Sequence, residues 1–335
     1  MKNLARRDLI LLHPADRAQP TGTDRWLSPR EVTAHYHVRI GNVEHFGRQG
    51  RLLTGRAVGL VLSGGSSRGG AHIGVIRAMR EANIPIDYVG GTSSGSVIAA
   101  QLAVGQDVET FAELHRKWWV GKGGMHKYTL PLLSLSTDRA YNAGIKDIVG
   151  LGRVEDLCTS WFAVSTNLTV GDLTVHRHGL LWEACRASGS MPAYFPPFQK
   201  DGDLLVDGGI IDNLPIGVMR GLCEGVVFAS DVSSHSDAEK RESDFSEVSG
   251  WQVLLNKINP FSRSIQAPMI PEVLARTLEV GMGHHRDRGG EADFCFSPPV
   301  QNFSWFDAKE IGEIVEVGYQ HAREALENWD LEGIG

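Results

Sequence analysis

Short continuous apolar runs, each closed by glycine or proline and most followed by a segment of helical period, organise this chain. Val58-Gly59-Leu60-Val61-Leu62 is apolar without interruption, as a central parallel strand covered on both faces must be. Ile73, Ile76 and Met79 then recur at helical spacing within 68–81, and Ala82-Asn83-Ile84-Pro85 predicts the end of that helix. Residues 86–90 predict the next strand, with Val97, Ile98, Ala100 and Leu102 on the helix behind it. The resulting βαβα order predicts an α/β fold.

The same reading extends in both directions. Leu9-Ile10-Leu11-Leu12 predicts a short buried strand stopped by His13-Pro14, and Ser28-Pro29-Arg30-Glu31 carries the serine N-cap, N1 proline and N3 glutamate of a helix running to about residue 36. Residues 1–50 are therefore expected to be an N-terminal extension, a strand and a helix packing on a main domain at 51–335. Downstream, helices are predicted over 107–119, 138–149, 182–187, 251–257, 271–281 and 307–328, and strands over 161–166, 173–176, 204–206 and 226–229. Residues 122–136, rich in glycine, leucine and proline, predict a mobile flap, and the polar run 233–247 predicts a solvated loop.

Composition narrows the classes. In 335 residues with 42% hydrophobic content, the 39 glycines cluster at strand ends without a period, which excludes collagen-like and low-complexity chains. A formal charge of -7 removes a nucleic acid or a strongly anionic membrane as the main partner. Cys158, Cys185, Cys223 and Cys295 are scattered without metal or redox spacing, so buried free thiols are expected. The apolar stretch at 9–12 is too short for a secretion signal, and no window approaches a membrane span. A cytoplasmic location is expected, with any membrane contact peripheral.

Candidate chemistry sits in two glycine-rich turns about one βα unit apart. Gly91-Thr92-Ser93-Ser94-Gly95 has the G-x-S-x-G form of a strained strand-to-helix turn that presents its central serine, Ser93, beside the first helical amides. Upstream, Ser63-Gly64-Gly65-Ser66-Ser67-Arg68-Gly69-Gly70 exposes backbone N–H groups in one concavity, with Gly64, Gly65 and Ser66 as candidate oxyanion donors. Losing one such donor costs on the order of 3 kcal/mol of barrier. The competing readings are a helix N-cap for Ser93 and a phosphate-binding turn for the upstream loop, although that loop has neither the dinucleotide nor the P-loop spacing.

A serine needs a base. Asp207, in Val206-Asp207-Gly208-Gly209, ends an apolar strand, where ligand sites of parallel sheets gather, but Asp-Gly also makes ordinary tight turns. Asp212 and Asp231 read as cap or strand-end residues, His72 as a packed helix residue, and His284-His285 as a formal but locally unsupported source of a triad histidine.

These residues resemble the patatin-like phospholipases, and within them the neuropathy-target-esterase branch. The resemblance runs through 55–62, the oxyanion stretch with Arg68-Gly69 and Ala71-His72-Ile73-Gly74, residues 89–96, Val175-His176, Arg186-Ala187-Ser188, Leu205 to Gly209 with Asn213-Leu214-Pro215, and Val317-Gly318-Tyr319-Gln320. It implies a three-layer α/β/α fold around a mainly parallel sheet and a Ser93–Asp207 dyad without metal or cofactor. It also implies an acyl-enzyme, with phospholipids or lysophospholipids as substrates.

Serines at 63, 66 and 67 break the family's glycine run. Any of them at positive φ costs roughly 1 kcal/mol, and weaker oxyanion binding would make the chain a lipid-binding scaffold. The first fifty residues look unrelated to the family's accessory domains, so nucleotide regulation is not carried over. Trp118-Trp119 and residues 128–135 offer apolar surface for an acyl entrance, against a plain core role.

Overall fold

The structure, a computed structural model, describes residues 6–16, 19–120, 127, 129–130, 132–233, 277, 280, 292–303 and 310–329. The expected loop at 233–247 lies outside them beyond Ser233. The helices at 251–257 and 271–281 also lie outside, apart from positions 277 and 280, as do His284-His285 and much of the expected flap.

At the N-terminus, β1 (Asp8–His13) pairs in parallel with β2 (Ala34–Arg39), from Asp8 opposite Ala34 to His13 opposite Arg39. The helix expected from residue 28 is thus replaced by a single turn, α1 (Asp24–Leu27), and a strand. The capping signature is worth about 1 kcal/mol, whereas a six-residue ladder satisfies the edge of β1 and buries Tyr36, His37 and Val38. Next, α2 (Val43–Leu53), capped by the Asn42 side chain, runs through the expected boundary at residue 50. It is tied to the main body by Arg51, which grips the buried Asp87 carboxylate with two hydrogen bonds of 2.8 and 2.7 Å.

The main sheet has the order β10-β9-β3-β4-β5-β8-β7, with β6 on the other edge of β5. β3 (Gly59–Leu62), β4 (Tyr88–Thr92), β5 (Ser160–Asn167), β9 (Val227–Ser230) and β10 (Phe294–Phe296) are parallel. β6 (Asp172–His176) and β8 (Asp203–Asp207) pair antiparallel with β5, and β7 (Phe198–Lys200) pairs antiparallel with β8.

Alternate residues of the central strands bury opposite faces, as a pleated strand requires. Leu60, Leu62, Val89, Trp161 and Phe228 belong to one core, covered by α3 (Gly70–Glu81), α4 (Ser94–Ala103), α5 (Val108–Val120), α6 (Asp138–Val149), α7 (Leu181–Ser188) and the helix Ile311–Glu327. Val61, Tyr88, Phe162, Val164 and Ala229 belong to the other, under Leu52 of α2 and under α8 (Ile216–Arg220). This is the three-layer α/β/α arrangement. The helix Ile311–Glu327 packs on α3 backbone to backbone: a Cβ on Gly318 would stand 2.1 Å from the Ala71 carbonyl oxygen.

One detail of register positions the site. Thr92, the last residue of β4, pairs with Val164, while Asp207, the last residue of β8, pairs with Ser165. Because β6 occupies the opposite edge of β5 over the same residues, β4 and β8 lie on one edge and run toward each other. Their carboxyl ends meet there.

Candidate active site

Ser93 leaves β4 at φ 53°, ψ -124° and opens α4. The left-handed turn lifts its side chain out of the helix path, and its hydroxyl makes no cap bond. Ser96, in the first turn of α4, donates its hydroxyl to the Ser93 carbonyl at 2.6 Å. The Ser93 side chain stands beside the Asp207 carboxylate, close enough to favour its charged form. Ser93 is half-buried; Asp207 is 2% exposed and also accepts the Gly209 N–H at 2.9 Å. Burial pushes the Asp207 carboxyl up from 3.8 to about 6, against the smaller opposing influence of the Ser93 hydroxyl and the Gly209 N–H.

The upstream turn lies directly against this pair. A Cβ on Gly64 would stand 3.1 Å from Ser93 Cβ. Two of the three expected donors are engaged: the Gly64 N–H donates to the Asn213 carbonyl at 3.2 Å, and the Gly65 N–H to Ser94 Oγ at 3.1 Å. Ser66 stands at φ 53°, so one of the three serines does occupy the costly region. Arg68 reaches away from the pair, donating to the carbonyls of Phe303 at 2.9 Å and Gln301 at 3.1 Å, and so ties the turn to the 301–303 segment.

The glycines are close-approach positions: Gly91 and Gly95 face the Leu62 carbonyl, Gly208 faces that of Val164, and Gly69 faces Ser94. Gly209 contributes its amide to Asp207.

The other candidates stand apart from this chemistry. His72 is fully buried between Ser230 Oγ (2.8 Å) and the Ser63 carbonyl (2.9 Å), and burial lowers its pKa to about 4. It braces the turn as a neutral ring. Asp212 offers its carbonyl to Thr92 Oγ1 at 3.0 Å, and Asp231 accepts the Ser233 N–H at 2.8 Å. Trp118 is partly buried against the helical core and donates its indole N–H to Asp147 at 2.7 Å. Leu130, Leu132 and Leu133 are exposed, on a segment that pairs with Ala193 and Tyr194 through the N–H groups of Leu135 and Ser136.

A cavity of about 910 Å³ lies near the amino ends of the strands, lined in part by Arg39, Arg48, Arg51 and Asp87. It contains neither Ser93 nor Asp207, and its ion-paired wall does not suit an acyl chain.

Residues 60–220 match the patatin-like phospholipase family. The chain belongs to that family. This patatin-like chain is 34% identical to patatin-like phospholipase domain-containing protein ZK370.4 of Caenorhabditis elegans, over 95% of its own residues and 27% of the worm protein. It is 33% identical to neuropathy target esterase sws of Drosophila melanogaster, over 96% of this chain and 25% of that one. Against lysophospholipase NTE1 of Mycosarcoma maydis the identity is 33%, over 99% and 21%. The chain thus spans about a quarter of the length of the curated relatives it matches.

Residues 1–61 match the Neuropathy Target Esterase family P-loop like domain, so the patatin-like chain shares with those proteins a segment that its own pattern left without a relative. No motif announces that segment. Its signal is the strand–turn–helix order of β2 and α2, hidden by the helix-start signature at 28–31.

Proposed function

We propose that this chain is a serine esterase that hydrolyses acyl esters of lysophospholipids or phospholipids, with Ser93 as nucleophile and Asp207 as general base. The observation that carries this reading is the juxtaposition of these two side chains where β4 and β8 meet end to end. Family membership supports the substrate class.

A hydroxyl is a weak nucleophile unless its proton has an acceptor, and a desolvated carboxylate with a pKa near 6 is a stronger base than an ordinary aspartate while remaining ionised at pH 7. Asp207 takes the Ser93 proton as Oγ bonds to the acyl carbon. The oxyanion is received by the turn, where no acceptor among the described residues takes the Ser66 N–H and where rotation of the Ser94 hydroxyl frees that of Gly65. The acyl–oxygen bond then breaks, and the leaving alcohol takes the proton from Asp207. Water, deprotonated by Asp207, releases the fatty acid and restores Ser93.

Labelling with a fluorophosphonate decides the nucleophile. The parent chain is expected to acquire one adduct at Ser93, and Ser93→Ala to acquire none and to release no fatty acid from lysophosphatidylcholine. The engaged Gly64 and Gly65 amides and the positive φ of Ser66 favour a second reading, a lipid-binding scaffold. That reading predicts lysolipid binding by the parent without any adduct.

No helix among the described residues is long and apolar enough to cross a membrane. Peripheral contact is assigned to Leu130, Leu132 and Leu133, which are 72, 88 and 72% exposed. Replacing all three by serine is expected to lower co-sedimentation with phosphatidylcholine vesicles several-fold while leaving hydrolysis of a soluble short-chain ester unchanged. Undiminished co-sedimentation would reject the assignment.

A further inference from the structure

The corner that follows α7 touches both members of the dyad. Ser188 Oγ accepts the Ser93 N–H at 2.9 Å, and two residues on, the Ser190 carbonyl accepts the Asp207 N–H at 3.0 Å. Both serines are fully buried. The two reacting residues come from different strands, yet their own backbone amides are fastened to one short piece of chain.

That piece is itself mounted on Arg186, which is 1% exposed. Its guanidinium donates through Nε to Asn142 Oδ1 at 2.8 Å, through Nη2 to the Pro196 carbonyl at 2.9 Å, and through Nη1 to Ser190 Oγ. Ser190 Oγ in turn donates to the Arg186 carbonyl at 2.8 Å. The guanidinium carbon lies 5.1 Å from the centre of the Tyr141 ring. Among the described residues no carboxylate comes within ion-pair distance of Arg186, and burial lowers its pKa. A buried cation whose hydrogen bonds run in three directions fixes the geometry of neutral groups around it, which a point-charge lysine cannot do.

We propose that Ser188 is a positioning residue for the reaction, and that Arg186 and Ser190 form the mount that holds it. The inference rests on the dyad reading above. At φ 53°, ψ -124° the Ser93 backbone is under strain, and any relaxation carries Oγ away from Asp207. The bond from the Ser93 N–H to Ser188 opposes that relaxation, and the bond from the Asp207 N–H to Ser190 holds the carboxylate in register with it. The corner therefore sets the separation over which the proton travels.

The test compares Ser188→Ala and Ser188→Cys with the parent in four measurements: kcat and KM on lysophosphatidylcholine, fluorophosphonate labelling rate, melting temperature, and the pH profile of kcat/KM. Ser188→Ala is expected to lower kcat and labelling alike by roughly 10- to 100-fold with KM little changed, because misplacement of a reacting atom acts on the transition state. Its acid limb should move to higher pH, since Asp207 loses the nearby Ser93 hydroxyl whose influence partly offsets burial. Loss of packing alone would not move that limb. Ser188→Cys, which keeps a weak acceptor, should fall between the two, and it decides the matter should the alanine variant not fold.

A parent that labels at Ser93, with either folded variant within twofold of it and an unmoved acid limb, overturns the positioning role alone. A parent that neither labels nor hydrolyses overturns the dyad reading and the positioning role with it.

Discussion

Asp207→Asn is expected to reduce ester hydrolysis to background and, at the same time, to raise the melting temperature at pH 7. The two effects have one cause. The carboxylate is 2% exposed, it is held by neutral donors, and its pKa is raised by burial to about 6. Carrying the charge in the folded state at neutral pH therefore costs on the order of 3 kcal/mol relative to an unfolded aspartate.

The amide has no charge to desolvate, keeps an oxygen for the Gly209 N–H and fills the same space, but it accepts no proton from Ser93. The pH dependence follows from the direction of the shift. Because the folded pKa lies above the ordinary 3.8, the native state binds this proton more tightly than the unfolded chain does, and the parent loses stability as pH rises from about 4 to about 6. The gain in the variant should be absent below pH 4 and complete above pH 6. Parent turnover should show the complementary limb, falling as pH drops through about 6. Melting curves of the two chains at pH 4 and pH 7 check the first statement, and equal differences at both pH values would refute it.

Gly95→Ala is expected to cost the fold itself. A Cβ at this position would lie 2.4 Å from the Leu62 carbonyl oxygen and 2.5 Å from that of Ser63, both main-chain atoms at the end of a central strand. Neither can turn aside as a side chain can, so α4 must shift away from β3, at a cost of at least about 3 kcal/mol. The shift also draws Ser93 from Asp207, so any folded protein should label slowly with a fluorophosphonate. Gly217→Ala is the matched control: it lies in the exposed face of α8 with nothing within 4 Å of a new Cβ, and there the same methyl should add about 0.5–1 kcal/mol of stability. Similar melting temperatures for the two variants would show that close approach of α4 to β3 is unimportant.

Where local pattern and tertiary need agree, the elements stand where the apolar periods place them. The helix at 138–149 is one case, and the uninterrupted apolar run of β3 is another. They diverge at 28–39, where a complete capping signature yields to a strand because β1 needs a partner for its edge. Short elements such as β7 and β10, three residues each, carry no period to read and exist only through the strand beside them.

The site divides in the same way. Ser93, Asp207 and the turn at 64–66 stand out in the linear sequence because each needs glycine neighbours, and glycine at strand ends leaves a visible trace. Ser188 and Ser190 leave none: a buried serine accepting one amide looks like any other serine until the amide is located. Arg186 is similar, since only the fold shows that its charge is fully enclosed.

What the sequence by itself determined is the βαβα order from β3 to α4, the glycine-flanked turn at Ser93, and the acid at the end of an apolar strand. Those are local properties, set by side-chain period and by the few residues that tolerate unusual backbone angles. Only the tertiary structure decided that β4 and β8 abut on one edge of β5, that Asp207 is buried deeply enough to raise its pKa to about 6, and that one corner accepts the backbone amides of both Ser93 and Asp207. Each of these depends on atoms far apart in the chain, whose distance and dielectric surroundings are set by packing.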